Sequence, residues 1–165
     1  MNIQHDLYIG QCGENQVVEL LEALGVICTR NTKRGQLLYY DIQCQYQNLV
    51  FTIEIKNDLM AQKTGNIAIE IFNSKKLSKS GVQATRANLW AHIINNKVWL
   101  TSVAKLKHYI DTMPPHRIIE NGGDNNATLL LYKIDNIVPD IFISLHKATQ
   151  DNLYNILQML GIKND

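Results

Sequence analysis

Long apolar runs are missing from this 165-residue chain. No stretch reaches the roughly 18 consecutive apolar residues of a membrane-spanning helix, so none is expected. The opening Met-Asn-Ile-Gln-His-Asp has neither the basic cluster nor the apolar stretch of a signal peptide, and the expectation is a soluble, cytoplasmic protein. Cysteine is scarce: Cys12, Cys28 and Cys44 are an odd set with no Cys-x-x-Cys pair, which argues for reduced thiols over disulfides or a zinc site. No His-x-x-x-His occurs either; His5, His92, His108, His116 and His146 are scattered, and each is expected in a core or surface role. A surplus of either charge is also lacking. The 16 Lys and Arg against 15 Asp and Glu leave a net +1, so composition does not announce a nucleic-acid binder. Internal repeats and low-complexity linkers are absent. With 45% hydrophobic residues, the chain is long enough for one domain with a real core.

What is present centres on residues 40–56. Tyr40, Ile42, Cys44 and Tyr46 alternate with polar residues, and the phase inverts so that Leu49, Phe51, Ile53 and Ile55 are apolar. Such alternation predicts two half-buried strands, with Gln47-Asn48 as the hairpin turn. In that register Tyr46 pairs with Leu49, Cys44 with Phe51, Ile42 with Ile53 and Tyr40 with Ile55. A slip of one residue would send every apolar side chain to the wrong face. The same register sets Asp41 directly across from Glu54 on the other face, with Lys56 beside them. Two such carboxylates repel. A Mg²⁺ ion would relieve them, because it takes one or two carboxylates and leaves its other positions to water and phosphate, and an adjacent ammonium can orient water or stabilise charge on phosphorus. The alternative is an ordinary cross-strand salt bridge on a solvated face.

Elsewhere the pattern predicts a helix from Gly10 to Leu24, with Val17, Val18, Leu21 and Leu24 as its stripe and Gly25 as its stop. Glu14 precedes the stripe by one turn. It is either an inward acid that needs a partner or an exposed first-turn acid favoured by the helix dipole. Val26 to Arg30 reads as a short strand. A third strand puts Ile67, Ile69 and Ile71 on one side and Asn66, Ala68 and Glu70 on the other, making Glu70 the next acid able to share the acidic face. Residues 72–81 read as a loop rich in lysine and serine, and Val82 to Ile94 as a helix capped by Ser80. A strand follows at 97–101, then a helix capped by Ser102, a tight turn at 121–126, a strand at 127–133, an apolar stretch at 137–145 and an amphipathic helix at 150–160. The last is either core packing or a subunit interface.

Asp41 followed by Glu54-Ile55-Lys56 resembles the signature of the PD-(D/E)XK nuclease superfamily, with Tyr40 where that family often has proline. The resemblance spans about residues 10–101, more weakly through Asn126, and points toward the small phage-type and homing endonucleases, bacterial or phage-encoded. It implies an α/β fold with a restriction-endonuclease-like core, a central mixed sheet flanked by helices, as a single domain with a C-terminal subdomain over about 102–165. It also implies that Asp41 and Glu54 hold Mg²⁺, with Mn²⁺ able to substitute, helped by the Ile55 carbonyl. Lys56 would orient the attacking water, and Glu14 would support this metal or a second one. Glu70 and Gln83 are candidates for supporting positions around them, with Ser80 and Thr85 near the site. Arg30, Lys33, Arg34, Lys75, Lys76, Lys79 and Arg86 are candidate DNA contacts. The implied activity is Mg²⁺-dependent endonucleolytic hydrolysis of double-stranded DNA by a homodimer or homotetramer, with no membrane involved. The alternatives are a non-catalytic DNA-binding or assembly module on the same fold, and a resolvase acting on branched DNA.

Overall fold

The computed structural model describes residues 3–31, 39–122 and 126–163. In chain order its strands are β1 (Ile27–Arg30), β2 (Ile42–Tyr46), β3 (Leu49–Asn57), β4 (Asn66–Asn73), β5 (Ser78–Lys79), β6 (Leu89–Ile94), β7 (Lys97–Ser102), β8 (Arg117–Gly122), β9 (Ala127–Lys133) and β10 (Ile143–Ser144). Its helices are α1 (Ile3–Ala23), the single turn α2 (Ala61–Thr64), α3 (Val103–Thr112), α4 (Ile134–Ile141) and α5 (Gln150–Met159). A mixed sheet runs β1-β2-β3-β6-β7-β10, and a second sheet runs β5-β4-β9-β8. One face of the mixed sheet shares a core with α1 and α5. The other face, through Trp90 and Ile94, shares a core with α3, α4, β4 and β9. Among the described residues no helix is long and apolar enough to cross a membrane.

The hairpin has the expected register: Tyr46 faces Leu49, Cys44 faces Phe51 and Ile42 faces Ile53. These six side chains are buried in the α1 and α5 core, so Thr52, Glu54 and Lys56 turn to the opposite face. Cys28 and Cys44 lie directly across β1 and β2 with sulfurs 3.6 Å apart, and all three cysteines are free. The N-terminal helix carries the expected stripe of Val17, Val18 and Leu21, and it stops at Gly25 with φ 85°. It begins well before Gly10, so Glu14 lies in mid-helix. That removes the dipole explanation for this acid, because the effect fades beyond the first turn.

The predicted helix from Val82 to Ile94 is not there. The chain makes a short 3-10 turn at Gly81–Gln83 and then enters β6, and the Ser80 side chain makes no cap to that turn. Every residue of β6 is buried, and the strand runs parallel to β3, pairing Ile53 with Leu89, Glu54 with Trp90 and Lys56 with His92. A strand covered on both faces shows no alternation, so its apolar run reads equally well as a helix. The better signal was Asn95-Asn96. These are the two residues between paired Ile94 and Lys97, with φ of 50° and 58°, as a two-residue hairpin loop requires. The third strand also differs in its company: β4 pairs with β9 and β5 in the second sheet and does not extend the first. The strand β8, at the edge of that sheet and paired with β9, was not anticipated. Ser102 does cap α3, accepting the Lys105 N–H at 3.1 Å.

Gly81, in the 3-10 turn that leads toward β6, packs directly against the backbone of β4. Its φ is 50°, and a Cβ there would lie 2.2 Å from the Glu70 carbonyl oxygen. Only glycine tolerates both the left-handed backbone and this approach. Gly81→Ala is expected to cost roughly 2–4 kcal/mol, read as a lowered urea midpoint; an unchanged midpoint would show that the turn does not bear on β4.

Candidate active site

Asp41 stands just where the β2–β3 ladder stops. The last paired residues are Ile42 and Ile53. Beyond them the Asp41 N–H donates to the Ile53 carbonyl at 3.0 Å, one residue short of the direct pairing with Glu54 that the pattern predicted. Tyr40 and Ile55 are likewise not a ladder pair. The reason is local: Asp41 Oδ2 accepts the Ile55 N–H at 2.6 Å, taking the place of a backbone carbonyl. The carboxylates still share one locality. Burial pushes the Asp41 carboxyl up, to about 6, and the charges of Glu54 and, more weakly, Glu14 push the same way against the Ile55 amide and Lys56.

Glu54 is held on both oxygens. Lys56 Nζ lies 2.6 Å from Oε1, and the Thr85 hydroxyl lies 3.2 Å from Oε2. That hydroxyl also reaches the Tyr39 carbonyl at 2.8 Å, so its single proton is shared between two acceptors. Burial alone would lower the Lys56 ammonium. The Glu54 charge and hydrogen bond, with the charges of Asp41 and Glu70, more than reverse this and hold it above the ordinary lysine range. Lys56 is therefore a firm cation, able to donate hydrogen bonds and with no free lone pair to accept a proton.

Glu14, on α1, is near enough for its charge to act on Asp41. The helix comes close to the first sheet because residue 13 is glycine. A Cβ there would meet Asn57 Cβ at 3.0 Å and Ile93 at 3.1 Å, and the Asn57 amide donates to the Ile9 carbonyl at 3.2 Å. Glu70 approaches from β4. It lines one groove with Glu54, Thr85, Tyr39, Lys76 and Lys79, about 300 Å³ in volume, and a second cleft with Lys56, Trp90 and His92. Gln83 is half-buried in the 3-10 turn, and it is Thr85, two residues on, that touches Glu54.

The basic candidates divide. Lys76 and Lys79 line the groove that holds Glu54. Arg86 stacks its guanidinium 3.9 Å from the centre of the Tyr39 ring. Lys75 is exposed beside them. Arg30, exposed on β1, donates to the Asn15 side chain. Lys33 and Arg34 lie outside the described residues. Sequence reasoning missed Asp58, Trp90 and His92, which are joined by hydrogen bonds on the same side of the first sheet as Lys56.

Among the described residues no three His, Cys, Asp or Glu side chains form a protein-only metal cage. The donors that do converge suit a hard cation that keeps several waters. They are two carboxylates, with Asp41 pushed up by burial and by the Glu54 charge, and the Ile55 carbonyl. An extended residue turns its N–H and C=O the same way; the Ile55 N–H faces Asp41, so its carbonyl faces that side too, where the β2 ladder has ended. This set fits Mg²⁺ and not zinc.

No family model matches the chain, and no curated protein matches it. Among solved structures it is similar to a bacterial homing endonuclease, I-Ssp6803I, with 12% identity and a TM-score of 0.50 over 92% of this chain and 91% of that one. At that identity the likeness establishes a shared fold, a mixed sheet flanked by helices.

Folding favours the protonated form of Asp41, because its folded value near 6 exceeds the roughly 3.9 of an unfolded chain. The metal-free protein should therefore lose stability as pH rises from about 4 through 6 and level off above. Asp41→Asn escapes this. Relative to wild type, its stability should swing by about 2 kcal/mol in the variant's favour between pH 4 and pH 8, measured by urea unfolding in EDTA. Millimolar Mg²⁺ should then raise the wild-type midpoint at pH 8 and leave the variant unmoved. A flat difference across pH would show that Asp41 is not crowded.

Proposed function

We propose that this chain is a metal-dependent DNA endonuclease of the PD-(D/E)XK type, hydrolysing phosphodiester bonds in double-stranded DNA. The observation that carries the reading is the meeting of Asp41, Glu54 and Lys56 at the end of the β2–β3 ladder, with Lys56 paired to Glu54 and Asp41 anchored on the Ile55 amide. Asp41, Glu54 and the Ile55 carbonyl would hold Mg²⁺, or Mn²⁺ in its place, and Glu14 would support that ion or a second one. When bound, the ion supplies polarisation of a phosphate oxygen and a water of lowered pKa.

The protein's own groups do the rest. Lys56, a cation in this setting, donates to the attacking water and to the oxygens that gain charge at phosphorus. Thr85 fixes the far oxygen of Glu54, so the carboxylate keeps its angle. Lys76 and Lys79, along the groove beside Glu54, neutralise flanking phosphates, and Arg86 and Lys75 extend that strip. Neutralising any one of these cations by substitution should lower the salt dependence of DNA binding by about one counterion. The homing-enzyme fold favours duplex DNA as the target. A homodimer or homotetramer would place two sites about a twofold axis, one for each strand.

Plasmid DNA incubated with the protein and Mg²⁺ should be nicked or linearised, and EDTA should prevent it. Asp41→Ala and Lys56→Ala should each lower the cleavage rate by roughly a thousandfold, while duplex binding, followed by gel shift, stays within a few-fold of wild type. Intact plasmid with the wild-type protein, or full activity in either variant, discards the assignment.

A further inference from the structure

We propose that buried Trp90 and His92, with half-buried Asp58, form a positioning chain that holds the Lys56 ammonium over the site; the role rests on the nuclease reading of that site. The parallel pairing of β3 with β6 sets Glu54 beside Trp90 and Lys56 beside His92, so all four side chains share one face of the sheet. Trp90 is completely buried, and Lys56 Nζ lies 5.6 Å from the centre of its ring, within range of a cation–π attraction.

The ring cannot turn freely. Its indole N–H donates to His92 Nδ1 at 3.2 Å. An indole nitrogen only donates, so Nδ1 must offer a lone pair, and the hydrogen of the neutral imidazole sits on Nε2. That atom lies 3.3 Å from Asp58 Oδ2. Asp58 is fixed in turn by backbone amides: Oδ1 accepts from Met60 and Ala61 at 3.1 and 2.9 Å, and Oδ2 accepts from Ala68 on β4 at 3.1 Å. The hydrogen bonds thus link the indole under Lys56 to the second sheet, with Asp58 accepting from His92 on one side and from the Ala68 amide on the other.

A buried polar chain of this kind is an expensive way to fill a core. Apolar side chains of similar size would serve packing alone. What it adds is a fixed angle for the Trp90 ring. This matters because the other hold on Lys56 is Glu54, at 2.6 Å. A carboxylate occupied with a metal no longer restrains the lysine as it does here, whereas the ring face still does. Trp90, His92 and Asp58 are positioning residues, acting through Lys56.

The test is a double-mutant cycle on single-turnover cleavage of duplex DNA with Mg²⁺, using wild type, His92→Leu, Lys56→Met and the double variant. The expected result is that His92→Leu lowers the maximal rate about tenfold, leaves the half-saturating concentration within twofold, and removes nothing further from the residual rate of Lys56→Met. Asp58→Ala should match His92→Leu. A loss from His92→Leu that persists undiminished in the Lys56→Met background would overturn the role, since a general structural defect is additive. Should His92→Leu not fold, Trp90→Phe replaces it in the cycle: it keeps a ring beneath Lys56 and drops the indole N–H. Nitrogen-15 NMR of the wild-type imidazole should show hydrogen on Nε2 of His92; hydrogen on Nδ1 would overturn the chain without touching the nuclease reading. A wild-type protein inert toward DNA overturns both, and active protein with additive losses overturns the chain alone.

Discussion

Two carboxylates held close together are the constraint around which this molecule is arranged. Glu54 lies on β3 and Asp41 immediately precedes β2, and the register of those two strands is fixed by three buried apolar pairs on the other face. Sliding the strands to separate the charges would expose that core, so the repulsion cannot be relieved by moving the backbone. It is moderated by what surrounds it. The Ile55 amide binds one acid, and Lys56 and Thr85 bind the other. The residual crowding is visible in Asp41, whose carboxyl holds its proton to about 6 through burial and the adjoining charges.

The second sheet gives this arrangement its enclosure. Without it, Glu54 and Lys56 would stand on an open, solvated surface, where an ion pair is worth little. The β4 strand brings Glu70 toward Lys56, and its Ala68 amide anchors Asp58. The segment joining β5 to β6 supplies Thr85, which bridges the Tyr39 carbonyl and Glu54. The acids, the lysine and the groove that carries Lys76 and Lys79 therefore depend on interactions between residues far apart in the chain.

Legibility in the sequence followed from how each strand is covered. The β2–β3 hairpin could be read because one face is buried and the other is not, so its alternation states both register and facing. The misreadings there, full pairs between Asp41 and Glu54 and between Tyr40 and Ile55, arose because a side-chain oxygen can replace a ladder carbonyl, which no hydrophobic pattern records. The β6 strand could not be read, since burial on both faces removes the alternation and leaves an apolar run that suits a helix equally well. With β6 mistaken for a helix, Trp90 and His92 could not be placed beside Glu54 and Lys56. β4 was recognisable as a strand, but its partner β9 lies far along the chain, and local periodicity does not reveal non-local pairing. Asp58 had a local signal that went unused: an aspartate whose side chain takes the amides two and three residues on is a common way to open a turn.

Gly81 sits against the Glu70 backbone, and four residues later Thr85 touches Glu54. On the same β4 strand, the Ala68 amide fixes Asp58. One strand thus braces both flanks of the acidic cluster. Anything that wedged β4 outward would loosen the grip on Glu54 and the seat of His92 together, so the two walls of the cleft share one support.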